Sequence, residues 1–283
     1  MNDSAAVFEE HRPFLRSLGY RMLGTLADAE DIVQETWLRW AAVPLADIDA
    51  PRSFLAKIAT RLCLDHLKSA RVQRETYVGE WLPEPVADGP EGVPGEDVSY
   101  ALMIAMERLS PLERAAFLLH DVFGESFEEI GDFLSRPAAT CRQLASRARQ
   151  HLRSGAPRHP VEAGEGRRLA TAFLQAARSG DLEGLKQLLL PDAVLINDGG
   201  GIVKAALRPI LGSDRIARMF ESLTRRKTPP DEIREVRFNG LEGLMYLTGG
   251  KATDVILFEP RDGKISRMYD VRNPEKLARF AWI

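Results

Sequence analysis

The chain has 283 residues, 45% hydrophobic and 28% charged, with a formal net charge of −3. At roughly 150 residues per domain this length suits two or three domains, and the near-neutral balance excludes a general polyanion binder. Two cysteines, Cys63 and Cys141, exclude a disulfide-stapled scaffold and a cysteine-built zinc centre and fit a reducing, cytoplasmic compartment. No apolar run reaches the roughly 18–20 residues that span a bilayer, so no membrane contact is expected. The acidic start, Met1 to Glu10, has no basic-then-apolar secretory pattern.

Residues 1–74 read as helical. Asp28 to Arg39 is amphipathic, with acids in its first turn where the helix dipole favours them. Ala46 to Pro51 is a short loop, and a second helix follows. Its apolar stripe is Phe54, Leu55, Ile58, Ala59, Leu62 and Leu67; Arg52, Lys57, Arg61 and Lys68 fall largely off it. From Pro51 to Arg74 the only acid is Asp65. The balance inverts over residues 75–98, which carry acids but no Lys or Arg, together with four prolines and four glycines. That composition sustains neither helix nor central strand and predicts a linker. Trp81 and Leu82 within it suit docking on another surface.

Residues 99–153 carry the sharpest punctuation. Ser110-Pro-Leu-Glu113 and Ser126-Phe-Glu-Glu129 are capping boxes, the first with Pro at the first helical position. A short helix, Phe127 to Leu134, stops at Ser135-Arg-Pro137, and a longer one runs on to Leu152: a helix-turn-helix. In the second helix Cys141, Leu144, Ala145, Ala148 and Leu152 form the buried stripe. Arg142, Gln143, Ser146, Arg147 and Gln150 lie outward, the layout of a helix that offers Arg and Gln to bases and phosphates. Two basic segments separated by an acidic one suit two contacts with one polyanion.

A second linker is expected at 154–166. Beyond it, 167–283 predicts helices at about 167–178 and 182–190, a strand Ala193 to Asn197, a turn Asp198-Gly-Gly-Gly201 and a strand near Ile202 to Leu207. A helix from Asp214 to Leu223 leads to strands Glu232 to Phe238, Leu244 to Thr248, Thr253 to Phe258 and Ile265 to Val271. The order implies an α+β domain, helices on a curved, mainly antiparallel sheet. Neither cysteine, no P-loop, no dinucleotide motif and no metal-ligand spacing suggests a cofactor or metal.

Asp31-Ile-Val-Gln-Glu-Thr-Trp-Leu-Arg39 and Pro51-Arg-Ser-Phe-Leu-Ala-Lys-Ile-Ala59 resemble region 2 of the extracytoplasmic-function (group IV) sigma factors of bacterial RNA polymerase. Leu109 to Arg114, Glu129-Ile-Gly131 and Pro137 to Arg142 followed by Arg147-Ala-Arg149 resemble their region 4. The third segment is similar to SnoaL-like domains of the nuclear-transport-factor-2-like fold. One subgroup carries such an extension with three motifs, present here as Trp81-Leu82-Pro83-Glu84-Pro85, Asp198-Gly199-Gly200-Gly201 and Asn273-Pro274-Glu-Lys276-Leu277. Ile202 stands where the family usually has Lys or Arg, which argues against an ionic role for that turn. Leu144 stands where many members are basic, which implies fewer phosphate contacts or another promoter preference.

The resemblance implies two all-α sigma domains, a region 2 helical bundle at 1–74 and a region 4 helix-turn-helix at 99–153, and a cone-shaped α+β domain at 167–283. It implies core RNA polymerase and promoter DNA as partners. Asp31, Gln34, Glu35 and Trp37 would face polymerase. Arg52, Ser53, Lys57, Arg61 and Lys68 would serve the −10 element, with the loop Leu45 to Ala50 capturing a flipped base. Arg136, Thr140, Arg142, Gln143, Ser146, Arg147 and Arg149 would serve the −35 element. The three subgroup motifs would make a regulatory contact within the chain, between the extension and the sigma domains or the linker. Two other readings stay open: a helix-turn-helix regulator that binds no polymerase, and an enzyme or small-ligand sensor in the third domain. Its strand-associated carboxylates are Asp198, Asp254 and Asp270, and all five histidines lie outside it. Three glycines after Asp198 suit a tight turn better than a buried base, so no enzymatic activity is expected.

Overall fold

Thr25 is extended and its hydroxyl accepts the Asp28 N–H at 3.2 Å, which starts α2, Leu26–Ala41. Before it runs α1, Asp3–Leu23; after it comes a 3-10 turn, Leu45–Asp47, and α3, Pro51–Glu75. The structure, a computed structural model, describes residues 3–75, 77–87, 99–153, 164–226 and 229–280. It divides into two compact units, Met1–Glu75 with Gly89–Ala156 and Thr76–Asp88 with Pro157–Ile283. Most of the expected second linker, and the linker beyond Ala87, lie outside the described residues.

In the first unit α1, α2 and α3 pack around Leu15, Leu18, Met22, Val33, Trp40, Leu55, Ala59 and Cys63. Burial pushes the Cys63 thiol up, so it is an inert core group. Gly19 lets α1 approach α2: a Cβ there would sit 3.0 Å from the Ala29 Cα. The buried Trp40 indole N–H donates to the Ser4 carbonyl at 2.9 Å and satisfies its one polar atom.

The same unit continues with α4, Tyr100–Met106, and α5, Pro111–Phe117, which widens into a π-turn at Leu118–Val122. Then come α6, Phe127–Leu134, and α7, Ala138–Arg153. Both expected capping boxes form, at Ser110/Glu113 and Ser126/Glu129. Between α6 and α7, Ser135 takes the left-handed conformation (φ 53°) and the Arg136 N–H bonds back to the Gly131 carbonyl at 2.9 Å. A Cβ at Gly131 would meet the Arg136 carbonyl oxygen at 2.7 Å, so the turn requires glycine there.

The second unit is an α+β domain. Helices α8, Glu165–Ser179, and α9, Leu182–Leu188, precede β1, Leu189–Asp198, and a two-residue β2, Ile210–Leu211. Helix α10, Ser213–Arg226, leads to β3, Glu232–Phe238; β4, Leu241–Thr248; β5, Lys251–Arg261; and β6, Lys264–Val271. A short α11, Pro274–Leu277, follows. The sheet order is β2-β1-β6-β5-β4-β3, antiparallel except for β1 with β6. One correction concerns Ile202 to Leu207, expected as a strand: it forms turns, and the edge of β1 pairs with Ile210–Leu211 instead. Its aliphatic residues mimic a strand, but Ile202, Val203 and Leu207 are exposed.

Helices α8, α9 and α10 cover one sheet face, around Phe173, Leu195, Phe220, Ile256, Phe258 and Met268. The side chains of Met245, Val255, Leu257, Tyr269 and Val271 alternate to the other face and are buried too. That is why β5 reads as an unbroken buried run from Val255 to Pro260. Part of the cover on this second face is the linker: Leu82 to Val86 are buried, and Ala87 bridges to Phe238.

Candidate functional site

Four places in the chain carry the expected functional residues. The first is the outward stripe of α2. Asp31, Gln34 and Glu35 are exposed at helical spacing, and Leu38, 63% exposed, continues the same stripe. Trp37 is half-buried, its ring edge-on to Phe8 at 5.0 Å. The stripe was legible except for Leu38, whose spacing of seven from Asp31 was the available signal.

The second is α3. Lys68 is exposed and paired with Asp65 at 2.7 Å; Ser53 and Lys57 are half-buried. Arg52 and Arg61 are turned towards the helix-turn-helix. The Arg52 guanidinium pairs with the buried Glu125, donates to the Phe123 carbonyl at 3.5 Å and lies over the Phe14 ring at 4.5 Å. Burial raises the Glu125 carboxyl above its ordinary range, partly offset by Arg52. Arg61 donates through Nε to the Phe133 carbonyl at 3.2 Å and through Nη2 to the Ser135 hydroxyl at 2.9 Å. Arg52 thus holds the segment ahead of α6, and Arg61 holds its end. The loop Leu45 to Ala50 contains the 3-10 turn and no buried residue.

The third is α7. Cys141, Ala145, Ala148 and Leu152 face the core, and Arg136, Arg142, Gln143, Ser146 and Arg147 face outward, as the spacing predicts. Leu144, expected on the buried stripe, is half-buried, as is Thr140. Arg149 differs from its outward neighbours: it makes a two-toothed ion pair with Asp121 at 2.9 and 3.0 Å. Arg142 reaches Glu128 at 3.4 Å from an exposed position. Sequence reasoning missed Arg114. It is buried, pairs with Glu107 at 2.8 Å, and donates to the Met22 carbonyl at 2.8 Å and the Met106 carbonyl at 2.7 Å. It thereby caps the carbonyl ends of α1 and α4 together.

The fourth lies wholly in the second unit. The side chain of Asp198, fully buried, collects four donors. Oδ1 accepts from the Tyr77 hydroxyl at 2.5 Å and the Gly200 N–H at 3.0 Å; Oδ2 accepts from the Leu82 N–H at 2.9 Å and the Lys276 ammonium at 2.6 Å. Lys276, 5% exposed, also donates to the Leu82 carbonyl at 2.5 Å and lies over the Trp81 ring at 4.3 Å. Asn273 donates to the Tyr77 hydroxyl at 3.1 Å and caps α11 through the Glu275 N–H. A Cβ on Gly200 (φ 64°) would strike the Asn273 side chain at 2.4 Å, so the glycine lets the turn close on it. Pro274 opens α11, Leu277 packs in the core, and Glu84 pairs with Arg279 at 3.5 Å. Burial, then the neighbouring Asp198, raises the Tyr77 phenol well above its ordinary value, so it stays a donor. The three motifs, far apart in sequence, converge on one carboxylate. The expectation that this turn has no ionic role is overturned: the charge is on Asp198 itself, and its partner comes from the last motif.

The other carboxylates considered as acids or bases are occupied or enclosed. Asp254 pairs with Arg272 at 2.7 Å, and Asp270 is buried on the helix-facing side of the sheet. Among the described residues no cluster of His, Cys, Asp and Glu could hold a metal ion.

The Sigma-70 region 2 model matches residues 7–72 and the Sigma-70 region 4 model residues 100–152. The chain is 39% identical to ECF RNA polymerase sigma factor SigJ of Mycobacterium tuberculosis, over 95% of this chain and 91% of that one. The chain is an extracytoplasmic-function sigma factor. This sigma factor is also 32% identical to the probable ECF RNA polymerase sigma factor SigI of the same organism, over 96% of this chain and 94% of that one. A crystal structure of SigJ superposes with a TM-score of 0.78 at 35% identity and covers 97% of this sigma factor and 98% of SigJ. The likeness runs through the α+β, SnoaL-like domain as well as both sigma regions.

Proposed function

We propose that the chain is a dissociable promoter-specificity subunit of RNA polymerase, with α2 docking on core polymerase, α3 serving the −10 element, α7 reading the −35 element, and the SnoaL-like domain tuning activity. The observation that carries this is the two-sided α7. Its apolar side is sealed in the core, while Arg142, Gln143, Ser146 and Arg147 are exposed on one outward surface, preceded by Arg136, with Arg142 reaching Glu128 at 3.4 Å. That is what a major-groove helix needs: bidentate Arg and Gln donors on a rigid, packed support. On α2 the exposed Asp31, Gln34, Glu35 and Leu38 form a mixed polar and apolar strip of the kind that seats on another helix. No helix among the described residues is long and apolar enough to cross a membrane.

In this reading the free chain is closed. Arg52 is held by Phe123 and Glu125 ahead of α6 and Arg61 by the end of α6 and its turn, so α3 and the helix-turn-helix must part before both cations reach an opened strand. The regulatory contact within the chain is the linker motif held on the SnoaL-like domain by Asp198 and Lys276. Engagement of Asp198 and Asp254 by cations leaves neither as an acid or base.

The test is promoter-dependent transcription by core polymerase with the full chain, with chains ending at Arg153 and at Arg272, and with Arg147→Ala. Loss of one bidentate base contact costs about 1–3 kcal/mol, so Arg147→Ala should weaken −35 recognition by about 5- to 150-fold. Truncation before Asn273, which removes Lys276, should change activity relative to the full chain. If the chain ending at Arg153 neither binds polymerase nor supports transcription, the sigma-factor assignment of these surfaces fails. If both truncations match the full chain, only the regulatory part fails.

A further inference from the structure

Arg149 is an α7 cation expected on the −35 element that the transcriptional reading leaves unused. It stands seven residues after the exposed Arg142, two helical turns and about 10 Å along the axis, so both lie on one flank of α7. What occupies Arg149 is Asp121. Its Nε donates to Oδ1 at 2.9 Å and its Nη2 to Oδ2 at 3.0 Å, the forked geometry with which a guanidinium also grips a phosphate. The two side chains are 36% and 27% exposed, so the pair lies at the surface and is partly shielded from solvent. The other carboxylate on this flank behaves differently. Glu128 meets Arg142 through one nitrogen at 3.4 Å, with both side chains more than half exposed, an open pair that solvent screens.

Asp121 is also held in place by its own segment. It belongs to the π-turn Leu118–Val122, an irregularity of the kind that concentrates at functional sites. Backbone bonds fix the exit of that turn: the Phe123 N–H donates to the Leu118 carbonyl at 3.0 Å, the Gly124 N–H to His120 at 3.2 Å and the Glu125 N–H to Leu119 at 2.9 Å. A preset carboxylate is thereby carried to the side of α7. An unmasked guanidinium there would be offered to phosphates, and phosphate contacts add affinity for every duplex without carrying sequence information.

We propose that Asp121 is an internal stand-in for a DNA phosphate, a positioning residue that keeps Arg149 on the protein and so holds down the sequence-independent affinity of α7. Recognition is then left to Arg142, Gln143, Ser146 and Arg147. This role rests on the reading of α7 as the duplex-binding helix.

The test is binding of the full-length chain to a short fluorescein-labelled duplex of arbitrary sequence, followed by anisotropy over a salt series. Asp121→Asn should bind more tightly, with a slope of log affinity against log salt steeper by about 0.9, the value for one further phosphate. Between about 50 and 200 mM salt that is an extra loss of about 3.5-fold. Asp121→Ser removes the same charge from the same surface turn and should do likewise, even if the amide variant does not fold. Adding Arg149→Gln to either should return affinity and slope to the wild-type values, because the gain acts through that guanidinium. Glu128→Gln removes a like charge from the same flank without unmasking a cation and should leave the slope as it was. A slope no steeper than wild type in Asp121→Asn and Asp121→Ser, as a mere strut would give, overturns the proposal. So does a gain that survives Arg149→Gln or is matched by Glu128→Gln. The reading of α7 fails on a different result, an unchanged −35 recognition in Arg147→Ala, whereas these slopes need no promoter sequence.

Discussion

Asp198 and Lys276 are both buried, so each charge depends on the other and on the polar groups around it. Removing one partner of such a pair leaves an uncompensated charge in the interior, which costs about 3–5 kcal/mol. Asp198→Asn should therefore destabilise the second unit by that amount in urea denaturation. Asp198→Asn combined with Lys276→Met should cost less than the two changes separately, because the orphaned ammonium is gone. Protease sensitivity at the linker should rise in Asp198→Asn if the carboxylate is what holds it. At this scale the sequence showed which residues matter but not how they act. The glycines after Asp198 indicated a tight turn, and the Gly200 N–H bond to Asp198 is that turn. Nothing local to residues 198–201 indicates a lysine seventy-eight positions away. Likewise Arg114 stands in a motif that was visible, yet its carbonyl partners at Met22 and Met106 become neighbours only when α1, α4 and α5 pack.

At the scale of elements, the helices with chemical punctuation were the most legible. Ser110 and Ser126 each carry a Glu three residues on, and each forms the reciprocal cap. The Ser126 hydroxyl, then its N–H, hold the Glu129 carboxyl below its usual value of 4.5. A carboxyl depressed in the folded state contributes stability above its unfolded value, and this is lost as pH falls through the lower folded value. Glu125 runs the other way. Burial disfavours its ionised form, so its contribution favours the acid side and is lost as pH rises through its elevated value. Thermal melts across the acid range should show Glu129→Gln flattening the loss on acidification and Glu125→Gln doing the opposite. Ser126→Ala should cost about 1 kcal/mol at neutral pH. Less legible were elements whose form is set by neighbours. The π-turn at Leu118–Val122 has no local breaker to announce it. The run Ile202 to Leu207 has strand-like residues, but the sheet edge is already taken by Ile210–Leu211. Strands β3 to β6 were found because their alternation or apolar runs are bounded by turns such as Asn239-Gly240 and Asp262-Gly263, both with positive φ.

At the scale of the molecule, charge is placed rather than accumulated. A chain of net charge −3 exposes Arg142 and Arg147 on α7 and Arg136 in the turn before it, while Arg52 and Arg61 are engaged within the first unit. Free protein on a −35 duplex, with Arg142 and Arg147 assigned to base edges and Arg136 left for a phosphate, should therefore show a shallow slope of log affinity against log salt, about −1. Once polymerase is bound and α3 is released, the slope on a full promoter should be steeper by about two for Arg52 and Arg61 alone. Fluorescence anisotropy over a salt series measures both, and equal slopes would contradict closure of the free form.

The grip on Leu82 has a consequence for how such a tether can evolve. Asp198 accepts its amide hydrogen and Lys276 donates to its carbonyl oxygen, so what is fastened is the Leu82 backbone, which every residue but proline offers alike. Exchanging the Leu82 side chain for another aliphatic one grades the snugness of the hook without undoing it. Only a residue lacking an amide hydrogen, or a change in the two ends of the ion pair, unhooks it. The strap can drift in composition while its fastening stays in place.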